Sequence, residues 1–358
     1  MFEPNFRITA RIASALTQIE ACRQAIDDLP IDATVLRQLR ETAALMTTHF
    51  STQIEGNRLT LPEVRAAIKG ERMPGRERDE REVRNHYLAL GAMEKLSERP
   101  GSLSEEDIRR LHGLGVTGRN KPSPYRTTQN GIRNSSTGGI VYLPLEAPDV
   151  PELMRSLIEW INAELTDGEL PAPIVAALAH YQFATIHPYL DGNGRTARLL
   201  ATLILRKAGY GLKGIYSLDE HYAKSLSSYY SALTVGSHNY YDGRAEGDVT
   251  PFISYFCAGT ADAFTKVRTA AARAEERTAI DRSTLLRDLE PRQRRLLGLF
   301  RKQGSATSAE MAAYLGMSPR TLVQLSRAWI ESGFLEYQSP ARKNRSYRLG
   351  AQFHQLFS

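Results

Sequence analysis

An apolar stretch from Ile174 to Ile186 runs at helical spacing straight into His187-Pro188. Proline disfavours helical backbone at the residue before it, so a helix here has to stop at His187. Gly192-Asn193-Gly194 follows, and then a second apolar helical pattern in Leu199, Leu200, Leu203 and Ile204. Glycine and asparagine tolerate positive φ, so this segment can fold into a concave turn whose N–H groups point one way. The chain is thereby constrained to a helix–loop–helix whose loop opens a helix N-terminus. Unpaired N–H donors and the positive end of the helix dipole make such a position an anion site.

The charges in the loop sharpen that reading. Arg195 and Arg198 fall three apart, on one face of the first turn. Cations there oppose the dipole, which makes sense if a strongly negative group such as a polyphosphate occupies the site. Asp191 beside such an anion would be repelled unless a hard cation stood between them. Mg²⁺ is suited, since one carboxylate plus phosphates holds it. His187 at the rim is placed to act as a general base. A plain glycine-rich turn with a surface arginine pair and a core histidine would use the same residue types. A histidine, an acid, a donor-rich turn and two arginines packed into one loop favour the nucleotide or phosphate site.

The twelve residues from His187 to Arg198 resemble the Fic family signature, HPFx(D/E)GNGRxxR. They depart only at Tyr189, where the family usually has Phe, so Tyr189 is expected to pack and to find a hydrogen bond. The resemblance implies a mainly α fold, with an all-helical core and a β-hairpin flap. It also implies transfer of AMP from ATP to a Ser, Thr or Tyr hydroxyl of a protein, the chain itself included. In that scheme the N–H groups from Gly192 to Gly194 cradle the phosphates. Asn193 and Arg195 position the α- and β-phosphates, and Arg198 takes the γ-phosphate. Thr196 and Ala197 complete the ATP-binding turn, Asp191 holds Mg²⁺, and His187, near its normal pKa, deprotonates the hydroxyl. Tyr230, on a helix expected over 222–233, lines the nucleoside pocket.

Upstream, Ser51, Glu55 and Gly56 read as a helix end, with Gly56 suited to a left-handed stop. They also resemble the family's inhibitory motif, (S/T)xxxE(G/N). The resemblance implies that Glu55 pairs with Arg198 and keeps it from the γ-phosphate. Because the motif precedes the core, the chain looks like the subclass inhibited in cis by an N-terminal helix. A variant of the same chemistry is removal of AMP from a modified protein, with Glu55 placing a water. Thr137-Gly138-Gly139 before Ile140-Val141-Tyr142-Leu143 suggests a hairpin. It is similar to the family's flap, here 137–146, whose strand edge would dock the target segment.

The expected organisation is a helical region with the inhibitory motif at 1–100 and the catalytic core at 101–267. A connecting helix at 268–289 and a small winged-helix domain at 290–358 follow. The last assignment rests on helices over 292–302 and 320–332, a glycine turn at Leu315-Gly316, and alternation from Phe334 to Leu349. Between Pro291 and Arg348, eleven Lys/Arg stand against three Asp/Glu, so a chain of net charge +6 carries its basic excess there. Arg320, Gln324, Arg327 and Lys343 would face DNA phosphates if the module binds DNA, and a protein partner is the other possibility for 290–358. A DNA-binding regulator whose core senses ATP is the competing functional reading.

No run approaches the ~20 apolar residues of a membrane span, and the N-terminus lacks a signal pattern. The expectation is a cytoplasmic protein without membrane contact. Cys22 and Cys257 are too few for a disulfide scaffold and lack metal-ligand spacing, so two packed thiols are expected. His180, within the apolar helix, is expected to be a core histidine, and His112 to have no catalytic role. A homodimer that covers the inhibitory helix would be one means of control.

Overall fold

The computed structural model describes residues 2–133, 139–236, 239–339 and 345–356. It divides into two compact units, Met1–Ala271 and Ala272–Ser358.

The first unit begins with α1 (Ala10–Asp27), α2 (Ala33–Ile54), α3 (Leu61–Ile68), α4 (Glu77–Glu98) and α5 (Glu105–Thr117). A two-stranded antiparallel hairpin follows, β1 (Ile132–Arg133) with β2 (Ile140–Tyr142). Then come α6 (Val150–Thr166), α7 (Ala172–Ile186), α8 (Asn193–Lys207), α9 (Asp219–Lys224), α10 (Leu226–Leu233), α11 (Tyr241–Ala245) and the start of α12 (Thr250–Asp288), whose residues after Ala271 belong to the second unit.

Local chemistry sets the helix ends. Asp32 accepts from the N–H groups of Thr34 and Val35 to start α2. Thr60 with Glu63, and Ser104 with Asp107, form capping boxes on α3 and α5. Gly118, at φ 71°, ends α5 in the left-handed conformation.

The organising element is α7. From Pro173 to Ile186 all but one of its side chains are buried, which explains why its sequence is apolar on every face. Its neighbours are α8, α6 and α11. Ile12 and Ile19 of α1, Met154 and Ile161 of α6, Leu203 of α8 and Phe252 and Phe256 of α12 complete the same core. Each such side chain contributes ~1.5–3 kcal/mol on burial. This packing fixes the end of α7 and the start of α8, and so fixes the loop between them.

The hairpin is tied to that loop. Tyr142 is buried, and its hydroxyl donates to Thr185 O at 2.6 Å, near the end of α7. The chain after β2 is held by Leu143 N–H on Asn239 O at 2.8 Å and Tyr241 N–H on Leu143 O at 3.0 Å. Ile140, Val141 and Leu143 remain exposed. Thr137 and Gly138 of the expected flap lie outside the described residues.

Three segments differ from the sequence reading. The expected core-closing and connecting helices are one continuous helix, α12, because neither proline nor a glycine stop interrupts the chain after Gly259. Gly259 itself is needed there, since a Cβ would collide with the His221 ring. The segment 222–233 is divided at Ser225, where extended backbone (φ −147°, ψ 81°) separates α9 from α10. The loop expected over 234–248 contains α11, whose Tyr241 hydroxyl accepts from Gln182 of α7 at 3.2 Å.

The second unit contains α13 (Pro291–Gln303), β3 (Ala306–Thr307), α14 (Ser308–Leu315), α15 (Pro319–Glu331), β4 (Leu335–Ser339) and β5 (Ser346–Leu349). Its strands form an antiparallel sheet in the order β3-β5-β4. Leu296, Phe300, Met311, Leu322, Trp329, Phe334 and Tyr347 make its core. The short β3 has no signal in the sequence, and Lys343 lies outside the described residues.

Cys22 and Cys257 are both buried free thiols. Among the described residues no helix is long and apolar enough to cross a membrane.

Candidate active site

His187 caps the C-terminus of α7 in the left-handed conformation (φ 53°, ψ 58°). A non-glycine residue in that region carries a strain of ~1–3 kcal/mol and persists only when its surroundings over-determine it. Here Arg126 does so. Its Nε donates to His187 O at 3.0 Å, Nη2 to Leu145 O at 2.6 Å, and its N–H to Pro188 O at 3.0 Å. The half-buried His187 ring turns Nδ1 toward Ala184 O at 3.3 Å. Facing a carbonyl, Nδ1 carries the proton, which leaves the Nε2 lone pair free.

Burial pushes the His187 pKa down to about 4. The Ala184 carbonyl and Glu55 oppose the shift, while Arg126 and Arg244 reinforce it. This corrects the expectation of a near-normal pKa: the sequence did not reveal that the ring is desolvated and lies within the fields of Arg126 and Arg244.

The loop after Pro188 closes on itself. Tyr189 N–H donates to Asn193 Oδ1 at 2.9 Å, and Asn193 Nδ2 returns to Tyr189 O at 2.8 Å. Asn130 Nδ2 donates to the same carbonyl at 3.0 Å. His112 stacks on Tyr189 with ring centroids 3.5 Å apart. Its Nε2–H donates to Asp191 O at 2.8 Å, so Nδ1 is the acceptor for the Ser123 hydroxyl, also at 2.8 Å. Tyr189 packs as expected, but its buried hydroxyl has no hydrogen-bond partner among the described residues. Gly192 sits at φ 79°, where a Cβ would collide with Val116 Cγ2, so only glycine fits.

The positions expected to contact ATP divide into two groups. The Asn193 side chain is spent on closing the loop, so only its main-chain N–H is left for a ligand. Thr196 Oγ1 donates to Gly192 O at 2.9 Å, and Ala197 is fully buried. These three side chains shape the turn and do not reach into it. Arg195 and Arg198 are both buried, and Arg195 Nε and Arg198 Nη1 lack hydrogen-bond partners among the described residues. Buried, unspent guanidinium N–H groups beside a helix N-terminus are what a polyphosphate requires.

Ser51 and Glu55, at the end of α2, come to the same place. Glu55 Oε1 accepts from Arg198 Nη2 at 2.9 Å. Arg198 Nη2 also reaches Ser51 O at 2.8 Å, and Nε reaches Ser51 Oγ at 3.1 Å. A Cβ at Gly194 would collide with Glu55 Oε1, so the carboxylate lies directly against the first turn of α8. Asp219, at the start of α9, accepts from Arg198 Nε at 3.0 Å. Burial works against the Arg198 charge, but Glu55, Tyr229 and Asp219 more than offset it, and its pKa is raised.

Asp191 stands at the loop's outer edge with its side chain 68% exposed. One carboxylate oxygen accepts from Gly192 N–H at 2.7 Å and lies 3.5 Å from Arg195 Nη2. Among the described residues no group of three or more His, Cys, Asp or Glu could by itself hold a metal. A single exposed carboxylate beside an anion cradle fits Mg²⁺, which completes its shell with phosphates and water.

Tyr230 is 49% exposed on α10, and its hydroxyl lies within the fields of Glu55 and Arg198. Its neighbour Tyr229 is buried and bonds His180 at 2.8 Å, so His180 is the core histidine expected.

Three residues here escaped the sequence reading, Arg126, Asn130 and Asp219, whereas His112, expected to have no catalytic role, serves to clamp the loop. Asp219 reads as an ordinary first-turn acid of α9, and nothing local marks it as the partner of an arginine 21 residues away. Arg126 precedes the hairpin and has no signal that it is buried.

Residues 102–205 match the Fic/DOC family. The protein adenylyltransferase Fic of Nematostella vectensis is 29% identical over 251 residues, covering 67% of this chain and 52% of the relative. The protein adenylyltransferase fic-1 of Caenorhabditis elegans is 30% identical over 246 residues, covering 67% and 44%. The chain therefore spans about half the length of the curated relatives it matches. Among solved structures, a Fic family protein from Desulfovibrio desulfuricans is 26% identical with a TM-score of 0.59, covering 98% of this chain and 99% of that one. A Fic-1 fragment from Caenorhabditis elegans is also 26% identical at 0.59, covering 74% and 73%.

Proposed function

We propose that this chain is a protein adenylyltransferase, held in check by its own Glu55. The observation that carries the reading is the Glu55 carboxylate at the N-terminus of α8, on Arg198 and against Gly194. A negative group already occupies the anion position, and it belongs to the inhibitory motif.

When Glu55 withdraws, Arg198 Nη1 and Nη2, Arg195 Nε and the first-turn N–H groups of α8 face the triphosphate. Asp191 is the residue that would hold Mg²⁺, which supplies charge neutralisation to the phosphates when bound. Tyr230 offers an aromatic face to the nucleoside. His187 Nε2 takes the proton from the target hydroxyl as that oxygen bonds to the α-phosphorus. The bond from the α-phosphorus to the bridging oxygen breaks, and pyrophosphate leaves. Orientation and fixed charge account for the rate gain. A bound triphosphate favours the protonated imidazole, so it raises the His187 pKa toward a useful value. The exposed edge near Ile140 and Val141 is suited to an extended target segment by strand addition.

Labelling distinguishes this chemistry from phosphoryl transfer. Protein from ATP labelled at the α-phosphorus retains the label, and protein from ATP labelled at the γ-phosphorus does not. The reverse pattern contradicts the proposal. AMP removal with Glu55 as the water-placing group predicts that Glu55→Gly abolishes activity instead of raising it.

For the second unit, the order α13, β3, α14, turn, α15, β4, β5 and the sheet order β3-β5-β4 support a winged helix-turn-helix. In this reading α14 and α15 are the two helices and β4–β5 the wing.

A further inference from the structure

We infer that Arg244 gives the candidate active site a preference for acidic target segments, by pairing with an Asp or Glu carboxylate close to the accepting hydroxyl. The inference rests on the proposed AMP transfer and deepens it.

Arg244 is held near His187 from the hairpin side. It lies on α11, whose Tyr241 N–H donates to Leu143 O just after β2 and whose Tyr241 hydroxyl accepts from Gln182 of α7. The Tyr181 hydroxyl donates to Arg244 O at 3.3 Å. The Arg244 guanidinium lies over the Tyr142 ring of β2, 3.8 Å from its centroid, and its field reaches the His187 ring. Stacking of this kind covers the flat face of a guanidinium and leaves its N–H edge for a planar acceptor.

That edge is unspent. Arg244 is 8% exposed. Its Nε is buried without a partner, and its side chain makes no hydrogen bond or ion pair among the described residues. Burial works against its charge, and the groups that favour the charge are Tyr142 and Tyr181, not a carboxylate. A buried cation in that state is costly until something pairs with it. Arg126 is the contrast. It is also buried, but its nitrogens go to His187 O, Gln129 Oε1 and Leu145 O. Arg126 builds the loop, and Arg244 is left for a ligand.

The position decides which anion. The phosphates have Arg195, Arg198 and the first turn of α8. Arg244 instead stands against the strand whose exposed Ile140 and Val141 are suited to an extended target segment. A carboxylate one or two residues from the hydroxyl is the anion such a segment would bring, and arginine meets it with two parallel N–H bonds.

The test is a set of synthetic peptides, each with one Ser, Thr or Tyr and with either Asp or Asn at a single position within two residues of it. They are incubated with the full-length Glu55→Gly protein, Mg²⁺ and ATP, and AMP incorporation is followed by mass. At one position or more the Asp peptide should be modified about tenfold faster than its Asn twin, the advantage of one hydrogen bond between charged groups. Arg244→Gln should bring that ratio close to one. Arg244→Lys, which keeps the charge but not the planar fork, should retain part of it. A ratio near one at every position with Arg244 in place overturns the inference, whether or not the variants fold. So does a ratio that survives Arg244→Gln, or a higher KM for ATP in that variant with the ratio intact, which would assign Arg244 to the nucleotide. AMP on the protein itself but on no peptide also overturns it, since an arginine that reads a segment needs only the segment. AMP on neither defeats the AMP-transfer reading beneath it.

Discussion

Asp219 and Arg198 form an ion pair at 3.0 Å with side chains 4% and 2% exposed. Glu55 uses a different edge of the same guanidinium, at Nη2, and is 28% exposed. Arg198 therefore has one permanent, buried partner and one partner at the solvent side. A buried charge left alone costs several kcal/mol, so an arginine that must change partners needs a second carboxylate to stay in place. Asp219 meets that need, and Ser51 O adds a neutral contact at 2.8 Å. Glu55 can then leave without stranding the charge.

Under the proposed function, replacing Asp219 should therefore impair AMP transfer even where Glu55 is absent. In a Glu55→Gly background, Asp219→Asn is expected to raise KM for ATP about tenfold or more through loss of Arg198 orientation. It should also destabilise the unit by ~3 kcal/mol, the usual cost of breaking a buried pair. Steady-state kinetics and thermal melts check both. An unchanged KM would show that Asp219 does not position Arg198.

The depressed pKa of His187 has a kinetic signature. The free imidazole titrates near 6.5, and burial brings His187 to about 4. The base form prevails above the lower value, so the acid limb of kcat/KM for Glu55→Gly should fall well below pH 6.5. The limb of kcat, which reports the complex, should lie at higher pH, because bound phosphates favour the imidazolium. Coincident limbs at 6.5 would refute the desolvated ring.

Stability carries a pH signature of its own. His86 and His180 are fully buried, and burial, aided by nearby arginines, lowers both pKa values to about 3. In the unfolded chain they return to about 6.5. Between those values the unfolded state binds more protons, so stability falls as pH drops from 6.5 toward 3. Their contribution is fully present above 6.5. Melting temperature against pH reads this directly, and a curve that stays flat or rises on acidification would contradict it.

His112 offers a test of loop closure. His112→Phe keeps an aromatic ring on Tyr189 but loses the bonds to Asp191 O and Ser123 Oγ. Two lost hydrogen bonds cost ~1–3 kcal/mol in stability. The loop account expects kcat in the Glu55→Gly background to fall as well, and kcat at its original value would mean that the loop holds without this clamp.

What could be read in advance follows a physical division. The stop at His187 and the glycine at Gly192 are local effects of φ and ψ, and they were legible. Glu55 on Arg198 spans 143 residues, and it was foreseen only because Ser51, Glu55 and Gly56 match a family motif. Arg126 and Asp219 act through contacts 61 and 21 residues apart along the chain, with no motif to announce them. Asn193, Thr196 and Ala197 show the converse. They belong to the signature, yet their side chains build the turn and leave binding to the backbone and the arginines. The unbroken α12 reflects the absence of a local stop signal, which a reading by domains passed over.

The central claim is that Glu55 restrains AMP transfer by holding Arg198. The most direct test is intact-protein mass after incubation with Mg²⁺ and ATP, on wild type, Glu55→Gly and His187→Ala. The account predicts a gain of one or more AMP units that is larger in Glu55→Gly than in wild type and absent in His187→Ala. No gain in Glu55→Gly while ATP still binds, or an equal gain in His187→Ala, would contradict it.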